Sequence, residues 1–186
     1  MSAAIRKAGR ITGHKLVFRN VKASDAAFIL SLRLDEVKSR YLSKVQPDLE
    51  AQQAWLMAYA ERRDEAYFII ETLEGRALGT VRLYDAKGDS FCWGSWLLSA
   101  EAPGSAAIES ALIVYSYACD RLEFTRSHFS VHKANASVCR FHERFGARRV
   151  SESQLEYDYV ISAESIAASR QRYARYLPDP ITVLPI

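Results

Sequence analysis

From Asn135 to Gly146 the chain reads N-A-S-V-C-R-F-H-E-R-F-G, placing a side-chain amide, a thiol and an imidazole within three turns of a helix. An imidazole exchanges protons near neutrality, with an unperturbed pKa of ~6.5, so His142 is a candidate acid or base. Cys139 and His142 have C-x-x-H spacing and His128 and His132 lie four apart. Residues four apart in a strand do not converge on one ion, and no second ligand pair follows, so no metal site is expected. Ser-His-Asp hydrolysis has no G-x-S-x-G elbow to start from. Upstream, Ala102-Pro103-Gly104-Ser105 interrupts an apolar stretch just before a helical pattern. Gly104, Ser105 and Ala106 have side chains small enough to let a phosphate reach the unpaired N–H groups of a helix N-terminus.

The elements that would position these groups are legible from periodicity. Phe91 to Leu98 is aromatic and apolar, with Gly94-Ser95 in its middle predicting a bulge or a close backbone approach. Ile108, Ala111, Leu112, Tyr115, Cys119 and Leu122 form the stripe of a helix of about four turns. Phe124 to His132 alternates as a strand, and Asn135 opens a helix closed by Gly146. Before this unit come a strand at Lys15 to Val21, a helix starting at Ser24-Asp25, a second helix from Asp48, and a hairpin of Ala66 to Thr72 with Ala77 to Tyr84 turning at Glu74-Gly75. After it, Arg148 to Ser153 and Gln154 to Ile161 read as strands and Ser162 to Leu177 as a last helix. Residues 1–13 read as a loose N-terminal arm, and 178–186 as an apolar tail that either covers a groove of its own domain or packs on a second copy, making a homodimer.

The order strand, loop, helix, strand, followed by N-A-S-V-C-R-F-H-E-R-F-G-A, resembles the acyl-CoA-binding core of the GNAT N-acyltransferases. Asn135 stands at the family's asparagine, Gly146 at its glycine, and His142 where many members carry the tyrosine that protonates the leaving thiolate. Ala147 replaces the usual aromatic residue. Ala102, Ser105 and Ala107 stand where the phosphate loop has Arg or Gln, Gly, and Gly or Ala, so only the last agrees. The resemblance implies an α/β fold with one mixed, mostly antiparallel sheet of about seven strands, flanking helices, and a splayed central parallel pair. It implies acetyl-CoA as cosubstrate, held by Leu97, Leu98, Ser99, Gly104, Ser105, Ala106 and Asn135. A main-chain N–H at Leu98 would polarise the thioester carbonyl as an oxyanion donor does, and His142 would be the acid. Arg33, Tyr41, Trp55 and Tyr157 would contact the acceptor.

That resemblance makes the chain an N-acetyltransferase acting on a primary amine, in the manner of protein N-terminal acetyltransferases or of enzymes that acetylate nucleotide-linked amino sugars. The alternative is a GNAT-like domain that binds acyl-CoA or a partner without catalysis. Glu71, Asp85, Asp89 and Glu101 are the carboxylates that could take the amine's proton, and Glu109 is assigned a contact with its helix dipole. The 186 residues suffice for one domain with a substantial core, and no linker divides them. A net charge of +3 with 25% charged residues offers no nucleic-acid patch, and Arg144, Arg148 and Arg149 read as a solvated face. The three cysteines lie unpaired in regular elements, which suits a reducing compartment. Met1 to Lys15 lacks the apolar centre of a signal peptide and no run is long enough to span a bilayer, so a cytoplasmic protein without a membrane partner is expected.

Overall fold

In the computed structural model, which describes residues 3–186, the apolar runs pair into one sheet, joined by one strand, Arg148–Glu152, whose residues are all exposed. Its strands are Arg10–Thr12 (β1), Leu16–Asn20 (β2), Ala66–Thr72 (β3), Ala77–Lys87 (β4), Ser90–Leu98 (β5), Arg126–His132 (β6), Arg148–Glu152 (β7), Glu156–Ile161 (β8) and Thr182–Leu184 (β9). They lie in the order β7-β8-β6-β5-β4-β3-β2-β1-β9. Every pairing is antiparallel except β5 with β6, which run parallel through Ser90↔Arg126 and Phe91↔Ser127 and then separate. Nine strands replace the expected seven. The two additions are β1, inside the segment read as a loose arm, and β9, inside the tail. They are three-residue strands, too short to show periodicity, and they exist because each completes the other's ladder at the sheet edge.

The arm is bound by more than this ladder. Ile5, Ala8 and Ile11 are buried. Lys7 donates to the carbonyls of Tyr59 and Ala60 at 2.7 and 2.9 Å, and Arg6 donates to Arg121 O at 2.6 Å. Both cations thus satisfy carbonyls at helix C-termini, where four are left without intrahelical partners. In the tail Ile181 is buried against its own domain, while Leu184 and Ile186 stay exposed.

Helices Ala26–Leu34 (α1) and Leu49–Glu61 (α2) cover one face of the sheet over β2 and β3, packing Ile29, Leu56 and Tyr59 on Tyr67 and Ile69. Asp48 caps α2 by accepting the Ala51 N–H at 2.9 Å. The opposite face takes Ala106–Asp120 (α3), Ala136–Arg144 (α4) and Ala163–Arg172 (α5) over Phe18, Phe68, Phe91 and Trp93. Periodicity implied a single apolar stripe for α3. Instead Glu109 to Ala118 are all buried, because the arm and the tail close over the side away from the sheet: Tyr117 donates to Arg6 O at 2.6 Å, and Leu112 and Ser116 face Leu177 and Ile181.

Candidate active site

The sequence pair Gly94-Ser95 produces the bulge it predicted. Pairing of β4 with β5 shifts from Thr80↔Leu97 to Arg82↔Gly94, and Ser95 takes a φ of 46°, in the left-handed region rare for a residue with a side chain. Its carbonyl accepts the Thr80 hydroxyl at 2.7 Å, which holds the turned peptide in place. Beyond the bulge Ser99 N–H donates to Leu78 O at 2.7 Å, so Ser99 offers no free N–H. Neighbouring residues of a strand present their N–H groups to opposite edges, and the Leu98 N–H therefore faces the side from which β6 has parted.

The parting opens a slot through the sheet. Its walls are Trp93 to Leu97 of β5, Phe129 to His132 of β6, Asn135, Val138 and His142 at α4, and Lys38, Tyr41 and Leu42 from the segment between α1 and α2. Of the residues expected at the site, Leu97, Tyr41, Asn135 and His142 meet here. Asn135 is the N-cap residue of α4, although its side chain caps no N–H, and Gly146, at φ 91°, ends the helix as expected.

His142 is 6% exposed and sits among the rings of Trp93, Trp96, Phe129 and Phe141. Its Nδ1 is buried without a partner. Burial lowers its pKa to about 3, so at neutral pH the ring is uncharged. This corrects the expectation of an imidazolium acid, since the charged form that made His142 a strong donor is not populated.

A second cavity adjoins the slot. Ile29, Arg33, Ser43, Gln52, Trp55, Tyr67, Arg82 and Ser95 line it, and Ser95 is common to both. It gathers Arg33 and Trp55 of the expected acceptor residues. Arg33 donates from Nη2 to the Ser43 carbonyl and hydroxyl at 2.7 and 2.9 Å, while its Nε is buried with no partner. Glu65 pairs with both Arg62 and Arg82, whose guanidiniums lie 5.7 and 5.3 Å from the Trp55 ring. Of the two arginines that line the cavity, Arg82 is paired with Glu65 and Arg33 is in no ion pair among the described residues, which leaves one positive charge uncompensated on this wall. Tyr157 lies apart from both cavities, its ring under Lys133 and Arg149.

At the N-terminus of α3, Gly104 has no atom within 4 Å of the place a Cβ would occupy, so the loop stands open. His14, Lys15, Ser105, Glu109, Arg175 and Tyr176 line a cavity there. Glu109 does more than face the helix dipole: its Oε1 accepts the N–H groups of His14, Lys15 and Leu16 at 2.9, 2.7 and 2.9 Å and fixes the turn between β1 and β2.

The four carboxylates proposed as proton acceptors are occupied elsewhere. Glu71 pairs with Arg19, Asp85 with Lys87, Asp89 with Arg126 and Glu101 with Arg76, and none lines the slot. Sequence reasoning missed Glu156, Arg82 and the basic pair of the β1–β2 turn. Only the strand register, which carries Glu156 beside His132, could have signalled the first. A Ser-His-Asp set does assemble, with Ser90 Oγ 2.7 Å from His128 Nδ1 and Asp85 Oδ2 3.2 Å from Nε2. Ser90 is buried and lines none of the cavities described above, so this set braces β4, β5 and β6 and does not expose a nucleophile.

Among the described residues no cluster of side chains suits a metal ion, and no helix is long and apolar enough to cross a membrane. Residues 15–148 match the acetyltransferase (GNAT) domain family. No curated protein matches the sequence. Among solved structures, apo FdhC, described as a nucleotide-linked sugar GNAT, is 36% identical, with a TM-score of 0.81 over 90% of this chain and 98% of its own. A GCN5-related N-acetyltransferase from Brucella melitensis (17% identity, TM-score 0.75, 89% of this chain and 84% of its own) shares the fold. So does spermidine N-acetyltransferase from Vibrio cholerae in complex with CoA and spermine (15%, 0.73, 82% and 98%).

Proposed function

The chain belongs to the GNAT acetyltransferase family, and we propose that it transfers an acetyl group from acetyl-CoA to the primary amine of a nucleotide-linked sugar. The carrying observation is that Ser95 lines both the slot between β5 and β6 and a cavity walled by Arg33, Arg82 and Trp55. A nucleotide-linked sugar has an aromatic base for Trp55, a diphosphate for Arg33 with Arg82 beside it, and a sugar amine at the end nearest the slot. The 36% identity to a protein described as acting on such sugars supports the same class.

Acetyl-CoA enters from the α3 and α4 side in this reading. Its pyrophosphate meets the open N-terminus of α3 at Gly104, Ser105 and Ala106, with Lys15 and Arg175 nearby. Leu97, Leu98 and Asn135 hold the pantetheine arm across the parted strands. The Leu98 N–H receives the thioester oxygen as it gains negative charge. Neutral His142 forms a wall beside the sulfur. Tyr159 already donates to Glu143 at 2.9 Å, which leaves Tyr41 as the phenol on the slot able to reprotonate the thiolate. The test is thiol release from acetyl-CoA against a panel of amines. Turnover should be greatest with a nucleoside diphosphate amino sugar and weak with the free amino sugar or a peptide N-terminus. Equal rates for the free and nucleotide-linked sugars would refute the acceptor assignment.

A further inference from the structure

Acyl transfer needs a neutral amine, so some group must take a proton from the incoming ammonium. Five titratable side chains line the slot: Lys38, Tyr41, His132, His142 and Glu156. Lys38 is a cation paired with Asp35 at 2.8 Å. Tyr41, a phenol, stacks on His132 with ring centroids 5.0 Å apart and is the thiolate's donor in the reading above. His132 accepts the Ala134 N–H on Nδ1 at 3.2 Å, so that lone pair is already engaged. His142 is held uncharged by burial and is too weak a base. Glu156 remains. It is the single carboxylate on the slot, it is exposed, and its side chain makes no ion pair or hydrogen bond among the described residues.

Register explains how it reaches there. Lys133 N–H donates to Leu155 O at 2.8 Å, which makes His132 and Glu156 a non-hydrogen-bonded pair of the antiparallel ladder, the kind whose side chains stand closest. Both project on the face of the sheet that also carries α1 and α2, from which the acceptor arrives. Asp158 follows on the same face, held by the hydroxyls of Ser151 and Ser130, and Lys133 is taken by Glu152 at 2.7 Å. No fixed cation therefore competes for Glu156.

The geometry points to Glu156 as the catalytic base, resting on the acetyltransferase reading above. The Glu156 carboxylate takes one proton from the acceptor ammonium, directly or through one water. The freed nitrogen lone pair forms the C–N bond at the thioester carbon, the C–S bond breaks, Tyr41 gives its phenolic proton to the departing thiolate, and the second nitrogen proton restores the phenol. Being exposed, Glu156 then releases its proton to solvent.

Glu156→Gln and Glu156→Asp test this in the full chain, where an exposed position leaves folding unaffected. For Glu156→Gln, kcat/KM for the amine should fall on the order of 100-fold at pH 7. Acetyl-CoA affinity by calorimetry should not change. The deficit should shrink as pH rises and solvent deprotonates the amine, and should be smaller for an acceptor of lower amine pKa. Glu156→Asp should recover part of the rate. Wild-type turnover by Glu156→Gln, or a deficit equal at every pH, overturns the assignment. If the wild-type protein binds acetyl-CoA yet acetylates no amine, the acetyltransfer reading itself fails, which is seen before any variant is compared.

Discussion

His142 and Phe129 lie ring against ring across one wall of the slot, 4.2 Å between centroids with planes tilted by 41°. Trp93 and Phe141 close the other sides at 5.3 and 5.6 Å. An imidazole in such a cage gains from apolar packing and loses the water that would stabilise its cation, and no carboxylate stands near to compensate. Its neutral form is what the native fold requires.

The first prediction follows from the sign of that shift. The folded pKa of about 3 lies below the unfolded ~6.5, so the native state binds fewer protons. The stabilising contribution is complete above pH ~6.5 and is lost as pH falls from there toward 3. At about 1.4 kcal/mol per pKa unit the loss is on the order of 5 kcal/mol across that window. Urea unfolding at pH 7 and pH 4.5 should show His142→Phe losing less stability than wild type. The rate should also lack an alkaline limb near pH 6.5. His142→Phe should cost less than tenfold in kcat, since no imidazolium is removed.

Gly104→Val probes the phosphate loop. A Cβ at Gly104 meets nothing within 4 Å, so the substitution strains no packed atom, yet it places bulk before the α3 N–H groups. Affinity for acetyl-CoA should fall about tenfold or more while Tm moves by less than ~3 °C. Calorimetry with acetyl-CoA and a thermal melt decide the matter. A fall in Tm with unchanged binding would make the loop structural.

Arg33→Ala addresses the acceptor. Its buried, unpartnered Nε stands ready for an anionic group, and removing it should raise KM for a nucleotide-linked acceptor by ~10–100-fold with acetyl-CoA affinity intact. Arg33→Lys should restore little, because an ammonium cannot supply the forked donors of a guanidinium. Steady-state kinetics with varied acceptor reads both effects. An unchanged KM would remove Arg33 from the acceptor site.

Glu109 supports the site from beneath. Glu109→Ala leaves the His14, Lys15 and Leu16 N–H groups without their acceptor. Leu16 is buried, so its orphaned N–H costs about 1–3 kcal/mol, while His14 and Lys15 are exposed and can turn to water, and a loss of about 1–3 kcal/mol is expected in urea unfolding. Glu109→Gln retains a carbonyl oxygen there and should lose less. Equal losses for the two variants would mean that charge, and not hydrogen bonding, holds the turn.

The amino-acid sequence by itself determined the central unit of this protein. The alternation of Phe124 to His132, the threes and fours of α3, the bulge at Gly94-Ser95 and the Asn135 to Gly146 helix are local consequences of side-chain periodicity and glycine freedom, and periodicity survives in one dimension. What only the tertiary structure decided depends on partners distant in the chain. β1 and β9 are three residues each and exist because they meet across more than 160 residues. Glu109 turned from a helix-dipole contact into the anchor of a turn 93 to 95 residues away. His142 was legible as a residue of the site, but its charge was not, because desolvation is set by the four rings around it and only one of those rings is its neighbour in sequence. Glu156 was silent for the same reason. A glutamate two residues before Asp158 reads as surface until antiparallel register sets it beside His132, on the face where the split strands open.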